Sequence, residues 1–344
     1  LDALRREKTH QRAMAMAGQT EEATQQLVDQ WLEDDQLPDS LLRMMFVCCS
    51  PLLDRNSQIA LTLKILGGFS VSEIARGLLV KEESVRKRIQ RAKKKLSQYE
   101  LSLELPGPAE VSSSLSAVHD VLYLMFNEGY STSHGFDPIR DDLCEEAARL
   151  CHILCKHGIG SGTTRALLAL MLFHASRLES RVDADGAVVL LADQDRSKWD
   201  QGLIAFGHKW LFRSGEATSR FHLEACIASL HCDAPTVEAT PWPKIVYLYQ
   251  CLNQRHPSPV YRLNKAIATA EAGDIAAAMA ELSQLQREKV LQDYSLLACA
   301  EARCHELLGD THAAIACYLT ALTQQLADHE RQLLQKKVQL LQES

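Results

Sequence analysis

Long alternations of Val, Ile and Thr are missing from this sequence, and glycine is sparse at 16 of 344 residues. Strands need the first and their tight turns need the second, so a β-rich fold is excluded. Leu and Ala dominate instead, and with 46% hydrophobic residues the chain has enough apolar mass for real cores in an all-α fold. No apolar run approaches the roughly 20 residues that span a bilayer, and no basic, then apolar, then small-residue leader opens the chain. A soluble, cytoplasmic protein with no membrane partner is expected. HExxH, P-loop and GxSxG patterns are missing too, so no motif frames a catalytic or cofactor site. The chain reads as a non-enzyme with no cofactor and no metal.

The eleven cysteines are an odd count. Several sit singly on apolar helical faces, among them Cys226, Cys251, Cys299 and Cys317. Buried reduced thiols are the simpler reading than a disulfide framework. A net charge of −7 excludes a whole-surface nucleic-acid binder, so any such affinity has to be local.

One stretch has that local charge. Lys81 to Leu96, KEESVRKRIQRAKKKL, holds eight Lys or Arg and two Glu in sixteen residues. On a helix at about 100° per residue, Arg86, Lys87, Gln90, Arg91 and Lys94 fall within an arc of roughly 140°. Val85, Ile89, Ala92 and Leu96 fall within a separate arc of roughly 60°. One face is a core stripe, and the other can lie along an anion. Upstream, Ser70-Val71-Ser72-Glu73 is an S-x-x-E capping box that opens a short helix carrying Ile74, Ala75 and Leu78. A turn near Leu79 to Lys81 leads into the basic helix, whose first turn carries Glu82 and Glu83. Helix, tight turn and basic helix make a helix-turn-helix, whose second helix enters the DNA major groove. A merely solvated charged helix is the plainer alternative; the segregated faces and the capped partner helix favour the former.

The run Asp39 to Leu96, with LLRMMFVCCSPLL, IALTLKILGGFSVSEIARGLL and SVRKRIQRAKKKL, resembles region 4 of extracytoplasmic-function (ECF) RNA polymerase sigma factors. It is most similar to the subgroup with a long C-terminal helical extension carrying TPR-like repeats. The resemblance implies a helix-turn-helix domain over 39–98, with core RNA polymerase and the promoter −35 element as partners. It also places Ser84, Arg86, Lys87, Gln90, Arg91 and Lys94 against DNA. Arg and Lys suit guanine edges or phosphates, and Gln suits adenine. Lys93, Lys94 and Lys95 are expected on phosphate or in solvent, and Arg88, between the two arcs, in a salt bridge. Met44 to Val47, Ile59, Leu63 and Ile65 are expected mainly in the core, some of them also lining a groove for the polymerase β flap. Cys48 and Cys49 read as packing residues.

Residues 1–12 resemble the end of the last helix of sigma region 2, most of which is expected to lie outside this sequence. The fragment given is therefore not expected to melt a promoter by itself. Residues 13–38 read as an acidic linker: Ala13 to Leu42 has no Lys or Arg and seven acids. The resemblance implies that this linker threads through the polymerase towards the RNA exit path. Residues 99–116 read as a second linker, marked by Pro106-Gly107-Pro108 and Ser112-Ser113-Ser114.

Residues 117–256 read as a helical extension. Within it, Asn127-Glu128 with His134, and Asp183, Asp185, Asp193 and Asp195, invite an acid–base or metal reading that no motif frames. Asp193 to Trp199 reads better as a loop pinned by Asp–Arg pairing and a buried Trp. Cys151-His152 with Cys155 and His157 has ligands for zinc at a poor spacing, so packing is expected. Residues 257–344 read as TPR-like repeats, with Gly273-Asp274 and Gly309-Asp310 turns 36 residues apart. Small Ala277, Ala278, Ala313 and Ala314 are expected to let the paired helices approach.

The expected whole is an all-α sigma factor: a helix-turn-helix domain followed by a larger helical domain that contacts region 4 or the polymerase and modulates activity. The alternative is a polymerase-independent helix-turn-helix regulator with a TPR-type sensor domain.

Overall fold

The computed structural model describes residues 39–78, 80–98, 108–131, 139–183, 187–215, 219–288, 291, 294–324 and 326–343. The expectations for 1–12 and 13–38, and those for His134 and Asp185, lie outside the described residues. Among the described residues every regular element is helical, apart from an isolated bridge between Val182 and Val188.

Four helices form the head: α1 (Asp39–Cys48), α2 (Arg55–Ile65), α3 (Val71–Gly77) and α4 (Glu82–Leu96). Local chemistry fixes the starts of α2 and α3. The Asp54 carboxylate accepts from the Ser57 amide and caps α2. The buried Gln58 amide donates to the Cys49 and Ser50 carbonyls at 3.0 and 2.7 Å, closing the turn between α1 and α2. The Ser70 hydroxyl accepts from the Glu73 amide at 3.2 Å and the Glu73 carboxylate accepts from the Ser70 amide, so both halves of the capping box are made. Met45, Phe46, Cys48, Cys49, Ile59 and Leu63 are buried, while Met44 and Ile65 stay exposed.

The next helix, α5 (Pro108–Tyr130), starts inside the stretch read as a linker over 99–116. Proline is at home in a first helical turn, and Ser114 and Leu115 are already buried. The Ser-rich composition suggested a loop, but tertiary packing decides. After it come α6 (Asp141–Lys156), α7 (Gly162–Ala175), α8 (Gln201–Arg213) and α9 (Arg220–Asp233). A single apolar core runs from Met45 in the head through these helices to Ala228. At Gly129 the backbones of α5 and α6 come close: a Cβ there would lie 2.8 Å from the Arg140 carbonyl oxygen.

The head is bolted to the extension at a polar seam. Arg55 on α2 donates to Asp120 on α5 through Nε at 2.9 Å, and through Nη2 to Asp120 and Ser116. Arg220 on α9 donates to the other Asp120 oxygen.

The C-terminal part continues as α10 (Trp242–Arg255), α11 (Pro259–Glu271), α12 (Ile275–Leu285), α13 (Ser295–Leu307), α14 (Thr311–Leu322) and α15 (Asp328–Glu343). Two antiparallel hairpins, α11/α12 and α13/α14, turn on the same device. Gly273 and Gly309 sit at φ 98° and 75°, where a side chain would be strained. Asp274 and Asp310 then cap the following helices by accepting from the Ala277 and Ala313 amides, each at 3.0 Å. Ala278 and Ala314 are buried at these corners, while Ala277 faces out. The last helix reaches back to the head, where Arg76 on α3 pairs with Glu330 on α15 at 3.1 Å. Lys336 on α15 also pairs with Asp183, at 3.3 Å. The intramolecular contact expected between C-terminal region and head is thus made at its last helix as well as along α5.

Candidate nucleic-acid interface

The basic helix α4 turns Val85, Ile89 and Ala92 inward, where they are buried with Ile74 and Ala75 of α3. Arg86, Lys87, Gln90, Arg91, Lys93, Lys94 and Lys95 are exposed on the other side, and Ser84 is half-buried. Five of the six residues expected against DNA therefore share an open face, and Ser84 sits at its edge.

The charges on that face are not all equally free. Arg86 pairs with Glu82 at 2.6 Å and Lys87 with Glu83 at 3.3 Å, each one helical turn back. Such exposed pairs are worth only about 0.3–0.5 kcal/mol, so a phosphate can displace them. Arg91 and Lys93 to Lys95 have no ion-pair partner among the described residues. The acids sit in the first turn, where the helix dipole favours them, and the last turn carries only cations. Arg88 forms no salt bridge among the described residues, contrary to expectation, and is half-buried between the two faces. A hydrogen bond from the Ser57 hydroxyl holds the Asp54 carboxyl below the usual carboxylate range, and the Arg88 charge adds a lesser push in the same direction.

The other stretches singled out in the sequence are also placed. The Cys151 thiol donates to the Thr164 carbonyl at 3.4 Å and is pushed up by burial, and His152 packs edge-on against Trp210. No group of three or more His, Cys, Asp or Glu side chains is arranged to hold a metal among the described residues. Glu128 lines a small cleft at the seam between head and extension, with Leu63, Phe69, Glu73, Ile74 and Leu124.

Trp199 is buried, but among the described residues no Asp–Arg pair pins the loop before it. Arg196 donates instead to the His231 and Ala234 carbonyls at 2.8 and 2.6 Å and lies over the Trp199 ring, while Asp195 accepts from Ser197. Carbonyls that protrude from the end of a helix cannot be read from residue types, so this pairing was invisible in the sequence. No described helix is long and apolar enough to cross a membrane.

Residues 43–96 match the family model described as Sigma-70, region 4. Residues 114–215 match one described as Family of unknown function (DUF6596). Over 249 residues the chain is 39% identical to an uncharacterized protein of Rhizobium meliloti (strain 1021), an alignment covering 72% of this chain and 59% of that protein. The chain thus spans less than two thirds of that relative's length. No solved structure matches it. Residues 43–96, built on α1 to α4, are a Sigma-70 region 4 helix-turn-helix domain on the N-terminal side of a larger all-helical region.

Proposed function

We propose that the chain acts in transcription initiation as a sigma factor of the ECF type, a binding protein rather than an enzyme. In this reading the head docks on the β flap of core RNA polymerase and lays α4 in the major groove of the −35 element. Ser84, Arg86, Lys87, Gln90, Arg91 and Lys94 face the duplex, and the helical region after it, ending in TPR-like hairpins, modulates the act. The carrying observation is α4 itself: an exposed cationic face backed by buried Val85, Ile89 and Ala92 and braced by a capped α3. Met44 and Ile65, exposed on the same small head, are suited to an apolar polymerase contact.

The test has two arms. The tagged chain is asked to retain core polymerase, and duplexes are selected from a random pool by the resulting complex. Retention of polymerase, with selection that collapses in Arg91→Ala, is the expected result. A base-reading arginine carries about 1–3 kcal/mol of discrimination, whereas Lys94→Ala lowers the salt slope by about one for every duplex alike. Failure to retain polymerase, with tight operator binding by the free chain as a dimer on paired half-sites, would replace this reading with a polymerase-independent regulator.

A further inference from the structure

Five side chains from three places in the chain meet between the ends of α5 and α7 and the loop before α8. They are Tyr130, Arg177, Arg181, Arg196 and Trp199, all within the 114–215 segment. The Arg181 guanidinium lies 3.7 Å from the Tyr130 ring centre. Arg177 lies 5.8 Å from that ring and 5.6 Å from the Trp199 ring, and Arg196 lies 4.9 Å from Trp199. Cations and rings alternate through the cluster.

Three guanidinium groups are gathered here, and among the described residues none of them has a carboxylate at ion-pair distance. Arg177 is only 8% exposed, donates to the Tyr130 hydroxyl at 2.7 Å and sits 2.9 Å from His174 Nδ1. Arg196 spends Nη1 on the His231 and Ala234 carbonyls and Nη2 on the Thr240 hydroxyl at 3.4 Å. The inner donors are left over: Arg181 Nε, Arg196 Nε and Trp199 Nε1 are buried without a hydrogen-bond partner, as is His231 Nδ1 beside them. A π face tempers a buried cation but does not cancel its charge, and it leaves in-plane N–H groups unbonded. The excess positive potential is felt nearby. Burial first, then Arg177 and Arg181, holds His174 well below the ordinary histidine range. Burial, then Arg177 and Arg196, takes His231 down to about 3.

Among the described residues these buried donors have no acceptor and the three cations have no carboxylate at ion-pair distance, which is the pattern of an anion site. We propose that Arg177, Arg181 and Arg196 bind a small anion bearing a carboxylate or phosphate group, seated against Tyr130 and Trp199. The size class follows from burial: Tyr130, Arg181 and Arg196 are half-buried and Arg177 and Trp199 are buried, beyond the reach of a duplex or a folded partner. The site is separate from α4. It neighbours Asp183, which Lys336 of α15 grips, so its occupant sits next to the helix that ties back to the head.

The experiment titrates the whole chain with inorganic phosphate and, separately, with citrate, at an ionic strength held constant with sodium chloride. Isothermal calorimetry and thermal unfolding are the readouts. Saturable binding of either anion is expected. At a concentration 100-fold above the dissociation constant, the folded state gains about 100-fold over the unfolded, seen as a rise in Tm. Phosphate alone, citrate alone or both binding supports the site and names the headgroup. Arg181→Gln, at a half-exposed position, is checked for native circular dichroism and is expected to weaken binding by about tenfold or more; Arg196→Gln is the second variant. Lys244→Gln, an exposed cation elsewhere, leaves binding unchanged. Absence of saturable heat with both anions overturns the proposal. So does undiminished binding in both arginine variants, or an Arg181→Gln Tm loss that is the same with and without anion, which would mark the cluster as purely architectural.

Discussion

Asp120 is one carboxylate holding two arginines from two different parts of the molecule, and its replacement by Asn tests how firmly the head is joined to the helices behind it. The shape is kept while the charge is lost, so Arg55 and Arg220 face each other without a counter-ion. The side chains are 36%, 22% and 31% exposed for Arg55, Asp120 and Arg220. A fully buried pair broken on one side costs about 3–5 kcal/mol, and an exposed one about 0–1 kcal/mol. Intermediate exposure of two such contacts puts Asp120→Asn at about 2–3 kcal/mol. Urea unfolding followed by circular dichroism reads this as a lower midpoint at unchanged slope. A cycle with Arg55→Ala isolates the seam itself, where contacting charges are expected to couple by about 1 kcal/mol. Hydrogen exchange should rise first in α2 and in the α5 turn around Ser116. A cost below about 0.5 kcal/mol, or additive single changes within about 0.3 kcal/mol, would show that the apolar core alone joins the two parts and that the seam is ornamental.

Two further outcomes follow from buried groups. His119 lies 2.7 Å from the Thr164 hydroxyl, and burial first, then Arg55 and Arg220, brings it from 6.5 to about 4. The unfolded chain binds a proton in that window and the fold refuses it, so the stabilisation is complete above pH 6.5 and is lost as pH falls towards 4, by about 3 kcal/mol. Urea midpoints at pH 7 and 4.5 measure it, and His119→Gln should flatten the slope; an unchanged slope would refute the assignment. Gly129→Ala forces a methyl to within 2.9 Å of the Cys144 amide and sulfur. It should cost about 1–3 kcal/mol by separating α5 from α6, with a Tm equal to the parent's as the contrary result.

The sequence was most legible where structure is made locally. Ser70 to Glu73, the arcs of α4 and the paired Gly-Asp corners depend on residues a few positions apart, and each forms as its spacing implies. Helical content was equally legible, because apolar residues recur at helical spacing throughout. Long-range pairing was not. Nothing near Asp120 announces a partner 65 positions earlier and another 100 later. Pro106-Gly107-Pro108 and three serines look like a linker, yet Ser114 is buried, because a short polar residue facing a core can still pack. Of the three arginines beside Tyr130 and Trp199, only Arg196 lies in a stretch that drew attention, the Asp193 to Trp199 loop, and there it was expected to pair with an aspartate. Their convergence is a property of the tertiary fold, and no local signal carried it.

The pairing of Arg76 with Glu330 spans 254 positions, and this separation has a cost in time. At about 5–20 residues per second of synthesis, the covering helix leaves the ribosome roughly 13–50 s after the helix-turn-helix it abuts. During that interval the nascent head is complete enough to cap and pack itself, yet one flank of α3 stays bare. The newborn protein therefore passes through a stage in which its helix-turn-helix module is formed but not yet overlaid, and any chaperone that meets it then encounters a different surface from the one the finished chain presents.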